Sequence, residues 1–246
     1  IAEPHCNLAI ALYAQGRIEE SLSSASKACA LDENFAFASL VNQVLKSRAL
    51  NRKSSRTTLS QTDTPETLNL SRKHLILERP IESGLVNLIC SLKSRKMDDA
   101  RNTPVFGNGS CSPGYNFFED SNPLIKRVQN DLVAMLRETF HSEIFIYDSF
   151  FNIYNEGSGI PPHDHLNEMD TVPGLRLGKQ KFSMVYYLDV GDQCSQNPGR
   201  LELYEPSYEI LPSNGTIALF SADRQHSATY SGTSRRVVIG VNFYVI

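Results

Sequence analysis

Six histidines are spread over 246 residues, and two of them, His163 and His165, flank a single aspartate in the run GSGIPPHDH. In an extended strand, residues i and i+2 project to one side, so these two imidazoles can converge on one metal ion while Asp164 points away. A third imidazole, His226, follows the run TIALFS far downstream, and only folding could bring it to the pair. Neutral imidazoles are good ligands for borderline divalent metals. A His-x-His pair on an exposed loop with an unrelated third histidine would need no metal, so the surrounding segments have to decide between the two readings.

Those segments change character at His141. Beyond it EIFIYDSFFNIY, KFSMVYYLDV, RLELYE, TIALFS and RRVVIGVNFYVI are rich in β-branched and aromatic residues and separated by Gly, Pro, Asn and Ser, which reads as a series of strands. Before it, Ile81–Lys96 and Pro123–His141 repeat their apolar residues at helical spacing, through Leu85, Ile89 and Leu92 and through Leu124, Val128, Leu132 and Leu136. Between them RNTPVFGNGSCSPGYNFFEDSN reads as a long loop. Helices followed by a run of strands imply an α+β chain whose helices pack on an antiparallel jelly roll.

Residues 4–50 are helical by the same periodicity, through Leu8, Leu12, Ile18, Leu22, Ala25, Ala28 and Leu31. NLAIALYAQGRIEESLSSASKACALDEN, with Ala9, a turn at Gly16 and a new helix near Phe35, resembles a tetratricopeptide repeat, although Ser21 and Glu33 stand where that pattern prefers alanine and proline. One repeat cannot bury its own faces, so the helix pair is expected to pack on the next domain of the chain or to belong to a longer protein. Residues 51–74, rich in Ser, Thr and charge, read as a linker. The expected organisation is therefore a helical tetratricopeptide-like segment at 1–50, a linker at 51–74 and the strand-rich domain at 75–246.

The C-terminal half resembles the iron(II)- and 2-oxoglutarate-dependent oxygenases, in particular the prolyl-hydroxylase-like branch. Tyr154, Gly157, Pro162 and His163 fall in the order and spacing of that branch, with His165 in its second-ligand slot. FSMVYYL, GRLELYEP and LPSNGTIALFSADRQH match its following strands, up to the distal histidine at His226. Arg236 stands ten residues on, where the family places the basic residue that pairs with 2-oxoglutarate.

The resemblance implies a double-stranded β-helix, cupin-like in shape, with iron(II) on His163, His165 and His226 and with Arg236 as the oxoglutarate anchor. Arg235 is the neighbouring alternative, and a surface arginine on an edge strand the plain one. Asn152, Tyr154 and Tyr186 lie on strands whose family counterparts line the oxoglutarate pocket. Val238 replaces a serine common in relatives. The usual facial triad of this group carries a carboxylate where this chain has His165, which leaves three readings: a three-histidine site, ligation by Asp164 through a strand irregularity, or a site that no longer binds metal. Residues 166–180 form an insertion that reads as a surface loop or as a substrate lid offering Glu168 or Arg176.

Composition limits the remaining choices. With 41% hydrophobic residues the chain can bury a full core, and a formal net charge of −3 without a basic, aromatic-interleaved stripe argues against nucleic acid as a partner. No apolar run approaches the roughly 20 residues of a membrane span, and no secretory leader opens the chain, so a cytoplasmic protein is expected. Five scattered cysteines without a CxxC pair are expected to be reduced thiols. The function expected is a dioxygenase using dioxygen, iron(II) and 2-oxoglutarate to hydroxylate a peptide, protein or amino-acid-like substrate, with a protein partner on the repeat-like helices. The alternatives are a three-histidine cupin-type dioxygenase without 2-oxoglutarate and a non-catalytic interaction protein on a degenerate oxygenase fold.

Overall fold

A computed structural model describes residues 1–57, 74–97, 107–172, 175–194 and 196–246. The chain divides into two compact units, one made of Ile1–Leu68, Asn167–Gln180 and Val245–Ile246 and the other of Asn69–Leu166 and Lys181–Tyr244. No helix among the described residues is long and apolar enough to cross a membrane.

The first unit holds α1 (Glu3–Ala14), α2 (Ile18–Leu31) and α3 (Ala36–Thr57). Pro4 sits in the first turn of α1, where a missing N–H costs nothing, and Gly16 takes φ +78° in the turn before α2. Ala9, Ala25 and Ala28 are fully buried. Ser21 is accommodated in place of alanine because its hydroxyl donates to Ala9 O at 2.6 Å. Residues 51–57 of the expected linker continue α3, and 58–73 lie outside the described residues.

The insertion after the His-Asp-His run, from Asn167 onward, is built into this same unit and is neither a plain surface loop nor a free lid. Leu175 and Leu177 are fully buried, and Arg48 of α3 donates to Leu175 O and, at 3.0 Å, to Gln180 Oε1. Asn167 and Asp170 form a reciprocal cap on the 3-10 turn Glu168–Thr171. Glu168 and Arg176 are exposed there.

The second unit runs β1 (His74–Glu78), α4 (Leu85–Ser91), β2 (Arg95–Lys96), β3 (Ser110–Cys111), a 3-10 turn at Phe117–Glu119 and α5 (Pro123–Phe140). Then come β4 (Ile144–Tyr154), β5 (Ser158–His163), β6 (Lys181–Asp189), β7 (Pro198–Leu203), β8 (Tyr208–Ile210), β9 (Thr216–Ser221), β10 (His226–Tyr230) and β11 (Arg236–Val245). Residues 98–106, the last six of which open the expected loop, lie outside the described residues, and β1 starts at the last residue of the expected linker. The expected helix at 81–96 shortens to α4.

Helix α5 begins where the Asn122 side chain accepts from Leu124 N at 2.9 Å with Pro123 next to it, and it buries Ile125, Val128, Leu132 and Leu136 along one stripe. Each such side chain contributes about 1.5–3 kcal/mol when fully buried.

The strands form a seven-stranded sheet ordered β1-β9-β6-β11-β4-β3-β2 and a four-stranded sheet ordered β5-β10-β7-β8. Alternation along β6 and β11 gives the large sheet two different faces. The registered pair Phe182 and Phe243 meets Phe140 of α5 at 4.9 and 5.7 Å, while the next pair, Ser183 and Asn242, faces the opposite way. The inner faces of the two sheets close on each other, Leu201, Leu203 and Ile210 against Ala218 and Phe220, and Tyr230 against Tyr154, Tyr187 and Val238. This is the jelly roll of a double-stranded β-helix.

All five cysteines are free thiols. Cys6 in α1 is fully buried and burial pushes its thiol up to about 11, whereas Cys194 is exposed. In the native protein at pH 8, iodoacetamide should label Cys194 and spare Cys6, as read by peptide mass spectrometry. Equal labelling of both would contradict the packing of α1.

Candidate metal centre

The centre is assembled by strand pairing in the small sheet. β5 and β10 are antiparallel neighbours, with His226 directly opposite His163. His165 lies just beyond the end of β5, where its N–H donates to Ala222 O at 2.9 Å and Ala222 N–H donates in turn to Lys181 O at 3.0 Å. The three rings gather with centroids 4.2 Å (163 to 226), 4.9 Å (165 to 226) and 5.0 Å (163 to 165) apart.

One ring nitrogen from each residue lies within 4.8 Å of the others, and His165 Nε2 is 3.2 Å from His226 Nε2. Donors sharing one face of a divalent cation, with bonds of about 2.1 Å, sit about 3 Å apart, so a small inward movement suffices to close the set. His226 is buried and the other two half-buried, which leaves the cluster one open side. Asp164 is not brought to it. That side chain is exposed and accepts from Leu166 N at 3.1 Å, so the donor set is three imidazoles.

Arg236, at the start of β11, is 2% exposed, whereas Arg235 is exposed. Its Nε donates to Val190 O at 3.0 Å, Nη2 to Pro198 O at 2.5 Å and Nη1 to Gly199 O, and its Cζ lies 4.6 Å from the Tyr230 ring centre and 5.8 Å from that of Tyr187. Gly199, at φ +81°, makes this approach possible, because a Cβ there would collide with the guanidinium. Burial lowers the Arg236 pKa and raises that of Tyr187. Among the described residues no carboxylate pairs with this guanidinium. Carbonyls, phenol rings and the more distant charge of Asp189 offset the burial of this cation only in part, and three of its five N–H groups are used in these bonds.

Asn152 and Tyr154 share the inner face of β4, where Asn152 Nδ2 donates to the Tyr154 hydroxyl at 3.2 Å. Tyr186 lies elsewhere, on the outer face of β6. Its hydroxyl accepts from Arg79 Nη1 at 3.0 Å and donates to Pro80 O at 3.0 Å, within a cluster in which Arg79 also pairs with Glu82 and Asp131. The inward tyrosine is Tyr187, opposite Val238 in the register. Period two turns adjacent residues to opposite faces, and the register shift between Val237 and Val238 decides which of the two enters the roll. Tyr187, Tyr230, Ser183, Asn242 and Asp148 were not among the residues expected at the site. Alternation counted forward from Arg236 would have signalled Val238 and Asn242.

No family model matches the chain, and no curated protein is similar to it in sequence. Solved structures are similar. A prolyl hydroxylase from Trichoplax adhaerens, in complex with a hypoxia-inducible-factor peptide fragment, is 16% identical with a TM-score of 0.52 over 70% of this chain and 83% of that one. HygX from Streptomyces hygroscopicus, with nickel and 2-oxoglutarate bound, is 11% identical with a TM-score of 0.53 over 75% and 88%. The fold is that of the 2-oxoglutarate- and iron(II)-dependent oxygenases. SnoN, a non-heme α-ketoglutarate-dependent epimerase from nogalamycin biosynthesis, is 10% identical with a TM-score of 0.53 over 81% and 82%. An oxygenase roll therefore carries different reactions on one backbone, and the chemistry has to be argued from side chains.

The Gly199 cradle gives the most direct check on the Arg236 geometry. Gly199→Ala should lower stability by about 1–3 kcal/mol through overpacking, seen as a thermal midpoint several degrees lower. Strain of an alanine at φ +81° adds to the collision, so an unchanged midpoint would contradict both the left-handed backbone at residue 199 and its contact with Arg236.

Proposed function

We propose that this protein is an iron(II)- and 2-oxoglutarate-dependent dioxygenase that hydroxylates a peptide, protein or amino-acid-like substrate. The observation that carries the proposal is the buried Arg236, a cation with no carboxylate in ion-pair contact among the described residues, in the same roll that gathers three imidazoles. The donor set suits ferrous iron: three protein ligands on one face leave room for a bidentate 2-oxo acid and dioxygen. Bound there, iron and 2-oxoglutarate supply the oxidation, in which the oxo acid is decarboxylated to succinate while a substrate C–H bond becomes C–OH.

The chain's residues do the rest. Arg236 receives the far carboxylate with its remaining N–H groups, and Asn152 with Tyr154 presents polar groups on the same inner wall. Tyr187, Val238 and Tyr230 keep that end of the roll dry, which strengthens the charge pairing. The peptide held by the Trichoplax protein supports a peptide or protein substrate.

One observation favours a second reading. An all-imidazole donor set without a carboxylate matches a cupin-type three-histidine dioxygenase that uses oxygen alone. Arg236 separates the two. Anaerobic addition of iron(II) and then 2-oxoglutarate should produce a visible charge-transfer band that iron alone lacks. Arg236→Met should weaken 2-oxoglutarate binding about 100-fold or more while leaving iron binding intact. Oxygen consumption that ignores 2-oxoglutarate and survives in Arg236→Met would support the second reading. Failure to bind iron at all would support a non-catalytic module.

A further inference from the structure

Arg236 draws its three carbonyl partners from two separate segments, Val190 just past the end of β6 and Pro198–Gly199 at the start of β7. The turn Ser231–Arg235, which leads from β10 into Arg236, is bonded to both. On one side Ser231 N–H donates to Asn197 O at 3.0 Å. On the other the turn closes on Asp192. Its Oδ2 accepts from Thr233 N at 3.1 Å and from the Thr233 hydroxyl at 2.7 Å, its Oδ1 accepts from Ser234 N at 3.5 Å, and its own N–H donates to Ser234 Oγ at 2.7 Å.

Tyr230 joins this knot to the guanidinium. Its hydroxyl hydrogen is shared between Ser234 O at 2.6 Å and Asp192 Oδ1 at 3.0 Å, while its ring lies against Arg236 Cζ. The approach is close enough to require glycine on both flanks: a Cβ on Gly191 would collide with the Tyr230 hydroxyl, and one on Gly232 with that hydroxyl and with Asp192 Oδ1. Every group bonded to the Asp192 carboxylate is a donor, which favours the ionised form. These bonds, that of the Thr233 hydroxyl first, hold its carboxyl down at about 2. Thr233 and Ser234 are exposed and Asp192 is half-buried, whereas Tyr230 is buried, so a carboxylate near the surface fixes a ring in the interior.

Resting on the reading of Arg236 as the oxoglutarate anchor, we propose that Asp192 is a positioning residue for that anion site. It clamps the turn to the segment that follows β6, and so sets the Tyr230 ring and the Val190 carbonyl where they hold the guanidinium. Val190 is also held through its N–H by Asn214 Oδ1 at 2.8 Å, which leaves the Tyr230 side of the clamp to Asp192. An ion pair made directly with Arg236 would occupy N–H groups that an incoming carboxylate needs. A carboxylate on the far side of a phenol ring orders the site without occupying them.

Two measurements test this. In the ligand-free protein, 15N NMR of the arginine side chains reads hydrogen exchange at Nε. Arg236 Nε, which donates to Val190 O, is the probe, and Arg224 Nε, which donates to Tyr204 O at 3.1 Å elsewhere in the roll, is the control. Asp192→Ala should speed exchange at Arg236 about tenfold, the effect of losing one bond to a charged group, and leave Arg224 unchanged. Faster exchange at both alike, or at neither, would overturn the proposal, since a carboxylate that merely supports the fold loosens the roll as a whole. In anaerobic calorimetry of the iron(II)-loaded protein, Asp192→Ala should bind 2-oxoglutarate about tenfold more weakly with iron(II) binding unchanged. Equal affinity for 2-oxoglutarate would also overturn it. Thr233→Val, at an exposed position, loses the hydroxyl bond and keeps the backbone one, so it should move both readings the same way by less, and it decides if Asp192→Ala does not fold. If the wild-type protein binds no 2-oxoglutarate, the reading of Arg236 as anchor fails, while exchange at its Nε still decides the role of Asp192.

Discussion

One registered pair of residues carries the site: His226 of β10 faces His163 of β5 across an antiparallel ladder. Because side chains alternate strictly, a slip of one residue would send one imidazole to the outer face and dissolve the cluster. The ladder irregularity between His226 and Ala228 lies just beyond this pair, and on its other side β10 is held by β7, with His226 opposite Leu203. His165, past the strand end, owes its place to backbone bonds through Ala222 to β6. A metal-binding geometry thus arises from main-chain pairing, with little help from the ligands' own neighbours in sequence.

Charge explains the other half of the site. The three imidazoles add no anion to the roll, and the Asn242 amide nitrogen that faces His165 also donates to the Asp148 carboxylate. At the start of β11, Arg236 brings a positive charge into a wall of phenol rings and carbonyls, where it makes no ion pair among the described residues. A buried guanidinium with no ion pair among the described residues is suited to receive an anion, whereas the shape of the fold does not by itself name the chemistry, since the same roll is found in proteins as different as a hydroxylase and an epimerase.

The four central strands of the large sheet were legible from residues alone, whereas β1, β2 and β3 were not. β4, β6, β9 and β11 are long runs of β-branched and aromatic residues, and α5 announces itself through its N-cap asparagine, proline and apolar stripe. The small sheet was harder to see. β5 is Ser-Gly-Ile-Pro-Pro-His, made of residues that normally mark turns, and β10 is short and comes directly after a turn. β1 starts with His74 at the edge of a polar stretch and becomes a strand only by pairing with β9. The three histidines that the structure gathers could be named from their order and spacing, and Arg236 could be singled out through the family resemblance. Tyr186 and Tyr187 could not be told apart, because the answer depends on a register shift in β11 that no local pattern encodes. The insertion after His165 read as a loop since its buried leucines find their partners in helices far away in sequence.

The central claim is that a divalent cation sits among imidazoles contributed by β5 and β10. Anomalous diffraction at the iron edge, from crystals loaded with iron(II) and 2-oxoglutarate without oxygen, tests it most directly. The account predicts one strong peak within about 2.3 Å of the Nε2 atoms of both His163 and His226. A peak elsewhere in the roll, or none at all in loaded crystals, would contradict it.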